Sequence, residues 1–273
     1  MQIERHAIPD QDAVRRRFAR SCQGLGEVVG YCQKRSASLE GAIGAAWDII
    51  LRGSVVQPDS PEIPRAIRLG AQAGAAFFRI REAGNEPIQY QLGDGPALTN
   101  QGGVHEGNAH SGTWLQSFYL AVLSRDPELI ATVVRTPGAL LRLSSTKGPE
   151  FHDLFVDAAQ AVWSGAGEAG ARVAAALAAT DPTRKDIRTP EWDKHWWIPQ
   201  LELLGCLHDR LEQFPQTLEN ALRLHQAYFS ETEQRRKEIW GFLAVGPMVC
   251  TIFARDHGCA INVESDYFLA WER

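Results

Sequence analysis

Apolar residues recur with a helical period along most of the chain. In the segment FHDLFVDAAQAVW, the residues at one face are Phe151, Leu154, Phe155, Ala158 and Val162. This i, i+3, i+4, i+7 spacing predicts an amphipathic helix. The segments TWLQSFYLAVL and TLENALRLHQAYF have the same pattern. Further helices are predicted over about residues 10–22, 27–51, 63–83, 127–134, 168–179 and 199–214, and a long one after Ile239 that ends at Gly258.

A strand pattern is confined to short segments. PIQYQLGDGPALT alternates apolar and polar residues around a glycine-rich turn, which predicts a small β-hairpin near residues 87–99. AINV near the C-terminus is a candidate for one more short strand. Neither a flexible linker nor a repeat of fixed length divides the chain. We therefore expect a mainly α fold, in which residues 1–273 form a single domain of packed antiparallel helices; a solenoid-like stacking of helix pairs remains open.

Composition and charge narrow the class of protein. The 273 residues carry a net charge of −5, whereas nucleic-acid binding usually needs a basic face. Five cysteines without regular spacing fit free thiols in a reducing cytosol. The N-terminus has no apolar segment typical of a secretory signal, and the uncharged stretch from Ile239 to Ala254 is shorter than a membrane span. We expect a soluble cytoplasmic protein that binds neither nucleic acid nor membrane; its oligomeric state is left open.

Four segments suggest chemistry or binding. GLGEVVG resembles a dinucleotide fingerprint, but a helix-like segment precedes it where a strand is needed, so we interpret it as a glycine-containing helix junction. In GGVHEGNAHSGTW, a loop metal site would use His105, Glu106 and His110. The structural alternative is a polar loop that precedes a helix, with Ser111 or Thr113 as the N-cap of that helix.

Aromatic residues are concentrated in PEWDKHWWIP. Trp192 and its neighbours in this segment either anchor a partner protein or seal a helix junction. The sequence shows no nucleophile elbow and no phosphate-binding loop. We therefore predict no catalytic residue, no cofactor and no metal.

The C-terminal stretch CAINVESDYFLAWER combines acids with aromatic residues. Glu264 and Asp266 would share one face of an extended segment, where paired carboxylates can do acid–base work or contact a partner. The structural alternative is that Ser265 or Asp266 caps a last short helix. Phe268, Leu269 and Trp271 would then pack inward.

Several segments resemble one family in order and spacing. They are RAIRLGAQAGAAFF, SGTWLQSFYLAVLSRD, FHDLFVDAAQAVW, the Leu-His-x-x-Tyr helix, the AVGP turn and the terminal VESDY. Together they are similar to the immunity 49 (Imm49) family of bacterial polymorphic-toxin systems, from about residue 65 to the end. The resemblance implies a mostly α-helical protein that binds and neutralises a toxin encoded beside it, and it carries over no catalytic residue.

A cognate toxin is therefore the expected partner. Because no export signal is visible, we expect that toxin to act in the cytoplasm, for example as a nuclease. The candidate partner-binding residues are Glu264, Asp266, Tyr267, His105, Glu106 and Trp192. Two alternatives remain open: a metal-dependent hydrolase that uses the His105, Glu106 and His110 loop, and a helical adaptor or regulatory protein.

Overall fold

The structure, a computed structural model, describes residues 2–103, 109–146, 150–180 and 191–272, without the side chains of residues 192 and 193. The chain forms two compact units. The inner unit contains residues 11–148, and the terminal unit combines residues 1–10 with residues 149–273. That residues 1–273 act as a single domain stays a prediction.

Helices dominate both units, as predicted. The chain begins with β1 (Gln2–Ile3), which belongs to the terminal unit. The inner unit contains α1 (Gln11–Lys34), α2 (Ser38–Val56), α3 (Glu62–Glu82), β2 (Pro87–Gln91), β3 (Ala97–Gln101), α4 (Ser111–Ser124), α5 (Pro127–Val134) and α6 (Gly138–Arg142). The rest of the terminal unit contains α7 (Glu150–Ser164), α8 (Ala169–Ala178), α9 (Glu191–Asp209), α10 (Phe214–Ser230), α11 (Glu233–Lys237), α12 (Val245–Asp256) and β4 (Glu264–Ser265).

Helix α3 lies between α2 and α4 in the inner unit. Small residues on α3 permit this close packing. A Cβ atom on Gly70 would lie 2.7 Å from Cβ of Ala46 on α2, and one on Gly74 would lie 2.6 Å from Cβ of Ser117 on α4. The alanine- and glycine-rich sequence of α3 is therefore a packing requirement of the inner unit.

The predicted hairpin is confirmed. Strands β2 and β3 pair antiparallel, with Pro87 opposite Gln101 and Tyr90 opposite Leu98. Tyr90 and Leu98 are buried, and the Tyr90 hydroxyl donates to the carbonyl oxygen of Cys32 on α1 at 3.2 Å. Apolar alternation on one face thus attaches the hairpin to the helical core.

The expected break at GLGEVVG is wrong. Helix α1 runs through this segment without interruption, and no atom of a neighbouring element lies within 4 Å of a Cβ built on Gly24. Phe18, Leu25 and Cys32 are buried at a spacing of seven residues, so one continuous face packs inward. Helix, not strand, precedes the glycines, so the phosphate-binding geometry is not formed.

The start of α9 also differs from the prediction. The helix begins at Glu191, not near residue 199, and Pro199 lies inside it. Trp196, Trp197 and Leu201 are buried along α9, so the tertiary packing of these side chains outweighs the local cost of the proline. The tryptophan-rich segment is therefore helix rather than a junction between helices.

The C-terminal elements agree with the sequence in part. Gly258 has φ +80° and the amide of Cys259 donates to Ala254 O at 2.9 Å, so the glycine ends α12 as predicted. The last strand is Glu264–Ser265 rather than AINV. Phe268 and Leu269 are buried, but Trp271 is 48% exposed, so its predicted inward packing is wrong.

Within the described residues, the stretch Ile239–Asp256 meets the length and hydropathy of a membrane span. A 3-10 turn occupies Ile239–Gly241, and α12 begins only at Val245, before Gly246 and Pro247. Of this stretch, 72% is buried inside the protein. Such a segment is typical of a core helix, so it gives only weak support for membrane insertion.

Candidate partner-binding site

The VESDY segment pairs with the start of the chain. Strand β4 lies parallel to β1, with Gln2 opposite Glu264 and Ile3 opposite Ser265. The amide of Asp266 donates to Ile3 O at 3.1 Å, and the Ser265 hydroxyl donates to the same oxygen at 3.3 Å. Ser265 also accepts from the amide of Tyr267 at 3.1 Å. Ser265 therefore caps a turn at residues 266–267, and the prediction that it caps a helix is wrong.

The three candidate residues of the VESDY segment differ in how far they are buried. Glu264 is exposed, Asp266 is half-buried and Tyr267 is fully buried. The amide of Arg5 donates to Oδ2 of Asp266 at 3.4 Å, and its guanidinium donates to the Asp266 carbonyl oxygen. The structure therefore leaves Glu264 the most accessible, whereas Tyr267 offers no surface to a partner. Binding by Glu264 and Asp266 stays a prediction.

Tyr267 fixes His6 in the core of the terminal unit. Its hydroxyl oxygen accepts from the His6 amide at 2.9 Å and lies 2.9 Å from His6 Nδ1. Because the oxygen accepts from the amide, its own hydrogen is available for Nδ1. Burial raises the pKa of Tyr267 to about 12, so the phenol stays protonated at neutral pH.

His225 on α10 adjoins this pair. Its ring lies 4.7 Å from the Tyr267 ring, and Nε2 is 3.1 Å from the carbonyl oxygen of Gly241. A carbonyl oxygen only accepts, so Nε2 carries the hydrogen. Burial lowers the pKa of His225 to about 3 and that of His6 to about 4. Both rings are therefore neutral and at least nine-tenths buried, which suits them to packing rather than to proton transfer with a substrate.

A side-chain cluster that the sequence reasoning missed surrounds Tyr228 of α10, whose exposed fraction is only 9%. The cluster consists of Tyr228, His195, Arg235, Glu191 and Glu231. The Arg235 guanidinium lies 3.9 Å from the centroid of the Tyr228 ring, and His195 Nε2 is 2.9 Å from Glu191. Arg235 also pairs with Glu231. The four-residue spacings from 191 to 195 and from 231 to 235 were the only available signal.

The polar loop of the metal hypothesis is described only in part. His105 and Glu106 lie outside the described residues. Nδ1 of His110 accepts from the amides of Gly112 at 3.0 Å and Thr113 at 3.4 Å. His110 is therefore the N-cap of α4, and the predicted caps Ser111 and Thr113 are wrong. In the part of the chain that the structure describes, no group of three or more His, Cys, Asp or Glu residues is arranged to hold a metal ion.

Trp192, the remaining candidate, belongs to the first turn of α9, but its side chain is not among those described. The adjacent Trp196 and Trp197 are buried at 8% and 6% exposure, and the Trp197 ring stacks on His152 at 4.2 Å. Two of the three tryptophans therefore stabilise the core of the terminal unit. Partner binding by Trp192 stays a prediction.

The comparisons with known proteins agree with the resemblance noted in the sequence. No curated protein and no solved structure matches the chain. A family model described as Immunity protein 49 matches residues 57–268, from α3 through the VESDY segment. Because this match covers more than half of the 273 residues, the chain belongs to the Imm49 family of immunity proteins.

Proposed function

We propose that this protein binds a cognate bacterial toxin with defined stoichiometry and neutralises it, and that it does so without catalysis. The observation that carries the proposal is the match of residues 57–268 to an immunity-protein family. The cluster of His6, His225 and Tyr267 is consistent with it, because these titratable groups are enclosed in the core rather than presented in a cleft.

We further propose that the encounter takes place in the cytoplasm. All five cysteines are free thiols, and Cys32, Cys206 and Cys250 are buried. Free thiols persist in a reducing compartment. Burial raises the pKa of Cys32 to about 11, so this thiol is protonated and unreactive at neutral pH. Nucleases are the toxin class that an acidic inhibitor suits best, because the net charge of −5 would favour approach to a basic substrate cleft.

Co-expression tests the proposal. The toxin gene adjacent to the gene for this chain is induced in a sensitive host, with and without this protein. We expect growth arrest with the toxin alone and normal growth when both are present, together with co-elution of the two proteins on size exclusion. Continued growth arrest without a complex would overturn the proposal. A toxin gene from an unrelated locus serves as the specificity control.

A further inference from the structure

Exposed arginines are concentrated on the first half of α1 in the inner unit. We call them the α1 arginine patch, and they are Arg15, Arg16, Arg17 and Arg20. Residues 11–20 contain these four arginines and one acid, Asp12, so the stretch has a local charge of +3 in a chain whose net charge is −5. The patch precedes residues 57–268, which match the family model, so family membership assigns it no role.

The helical period directs these side chains away from the core. Val14, Phe18 and Leu25 are buried and mark the inward face of α1. Arg16 and Arg20 flank Phe18 at two positions on either side, and a shift of two residues turns a helix by about 200°. Both arginines therefore lie on the outer face of α1, with about 6 Å of helical rise between them.

Most of the patch has no counter-ion among the described residues. Arg15 is the exception, because its guanidinium lies 2.8 Å from Oδ1 of Asp12. The guanidinium groups of Arg16, Arg17 and Arg20 form neither an ion pair nor a hydrogen bond with the part of the chain that the structure describes. Three exposed positive charges are therefore available to a partner.

Two acids close to α1 are paired with other arginines. Asp48 on α2 accepts from the Ser21 hydroxyl and lies 2.8 Å from Nε of Arg52. Glu62 at the start of α3 lies 3.3 Å from the guanidinium of Arg65. Neither carboxylate forms an ion pair with the patch, so its positive charge is not neutralised from this side.

The arginines of the patch do not stabilise their own helix. On α8, by contrast, Arg172 pairs with Glu168 four residues earlier. Opposite charges at this spacing stabilise a helix, whereas like charges repel. Arg16 and Arg20 have the repulsive arrangement, so helix stability does not explain their positions. An acidic partner would relieve this repulsion.

The size of the patch suits a few carboxylates better than a nucleic acid. A guanidinium donates two parallel hydrogen bonds to a carboxylate. Nucleic acids need a more extended basic face. On α1 that face is limited by Glu27, an exposed acid seven residues beyond Arg20, or about 10 Å along the axis. The net charge of −5 also opposes binding of a long polyanion.

We propose that the α1 arginine patch is a docking surface for an acidic region of the partner protein, with Arg16 and Arg20 as its central contacts. The inference rests on the proposed toxin binding for the identity of the partner. A positive patch on a negatively charged chain also orients the partner as it approaches. None of the partner-binding candidates from the sequence lies on this helix.

A charged peptide tests the patch without the toxin. The full chain is titrated at low salt with acetyl-hexaglutamate amide and with the neutral acetyl-hexaglutamine amide, and binding is followed by NMR shifts of the arginine Nε–H groups. We expect the acidic peptide alone to bind, with an affinity that falls about fivefold or more in the double variant Arg16→Gln/Arg20→Gln. The matched control is Lys34→Gln/Arg35→Gln, which removes the same charge at exposed positions about 20 Å further along the helix.

Three results of the peptide titration would overturn the proposal. They are no binding of hexaglutamate, an unchanged affinity in Arg16→Gln/Arg20→Gln, and an equal loss of affinity in the two double variants. The last result would show a general charge effect rather than a contact at the patch.

The toxin complex provides the second test. We expect Arg16→Gln/Arg20→Gln to weaken the complex about tenfold, with an unfolding midpoint no lower than that of the wild type, and Lys34→Gln/Arg35→Gln to bind as the wild type does. The loss should become smaller as the salt concentration rises, because exposed charges are screened. Wild-type affinity in Arg16→Gln/Arg20→Gln would overturn the docking surface and leave the proposed function intact. If the wild type binds no toxin, the proposed function fails, and the peptide titration decides whether the patch binds carboxylates.

The same variant distinguishes two other occupants. Duplex DNA that binds the wild type at about 150 mM salt, but not Arg16→Gln/Arg20→Gln, would assign the patch to nucleic acid. A dimer on size exclusion that this variant abolishes would assign the patch to a second copy of this chain. Either result would overturn the proposed contact with the toxin.

Discussion

The hydroxyl of Tyr267 lies 2.9 Å from both the backbone nitrogen and Nδ1 of His6, 261 positions earlier in the chain. One phenolic oxygen therefore satisfies two buried polar atoms of the N-terminal segment. The tyrosine of VESDY, the most specific element of the family resemblance, thus holds the two ends of the chain together in the terminal unit.

Tyr267→Phe removes this contact and little else. The His6 amide and ring nitrogen would then be buried without a partner, which costs about 1–3 kcal/mol for each unsatisfied group. We expect the free energy of unfolding to fall by about 2 kcal/mol or more, measured by urea denaturation. Tyr31→Phe, at a residue that is 60% exposed, is the matched control and should change little. Equal stability of Tyr267→Phe and the wild type would contradict the structural role.

The two buried histidines predict a loss of stability in mild acid. Burial lowers the pKa of His6 and His225 from 6.5 to about 4 and about 3, and the charges of Arg5 and Arg236 further lower that of His6. Below pH 6.5 the unfolded chain therefore binds protons that the folded protein does not. The free energy of unfolding should fall as pH decreases from about 6.5 toward 4, by up to about 1.4 kcal/mol per pH unit for each histidine.

Denaturant unfolding at pH 7.5, 6.5 and 5.5 measures this dependence. Stability should be nearly constant between the first two values and lower at the third. His6→Gln removes one of the two titrations, so its slope below pH 6.5 should be about half that of the wild type. A flat profile from pH 7.5 to 5.5 would contradict the neutral, buried state of the two rings.

Replacement of two glycines by alanine should change the stability of the protein in opposite directions. A Cβ atom on Gly241 would lie 2.4 Å from the ring of Phe229, which is 1% exposed and has no room to move. Gly241→Ala should therefore destabilise the protein by about 1–3 kcal/mol through overpacking. Gly24→Ala, in the middle of α1 with open space around it, should stabilise by about 0.5–1 kcal/mol. Thermal unfolding of both variants checks the pair, and a shift in the same direction for both would be inconsistent with the packing.

Glu264→Lys tests the predicted partner surface. Glu264 is exposed next to a buried segment, so reversal of its charge should leave the unfolding midpoint unchanged and weaken the toxin complex about tenfold. Glu27→Lys makes the same change at an exposed position on α1. Calorimetric titration of both variants distinguishes a contact from a general charge effect. An equal loss of affinity in the two would indicate long-range steering rather than a contact at Glu264.

Some local signals in the sequence predicted the local structure correctly. The helix predicted over residues 127–134 is an example: Pro127 begins α5, and Oδ1 of Asp126 accepts from the Glu128 amide at 2.9 Å. Alternating residues around the Gly93 turn likewise identified the hairpin. Each of these features depends on side chains only a few positions apart.

Features that depend on distant contacts were missed. The pairing of β1 with β4 joins residues 2–3 to 264–265, and two-residue strands have no detectable alternation. Helix continuity through Gly24 depends on burial of Phe18, Leu25 and Cys32, and propensity alone predicted a break.

Titration of the toxin with this protein tests the central claim most directly. Toxin activity is measured at a fixed toxin concentration well above the dissociation constant, while purified protein is added from zero to two equivalents. A binding inhibitor should lower the activity linearly to an end point at a fixed, near-stoichiometric ratio, with a complex of the same composition on size exclusion. Complete inactivation by a small fraction of an equivalent would reveal catalysis, and unchanged activity at two equivalents would contradict neutralisation by binding.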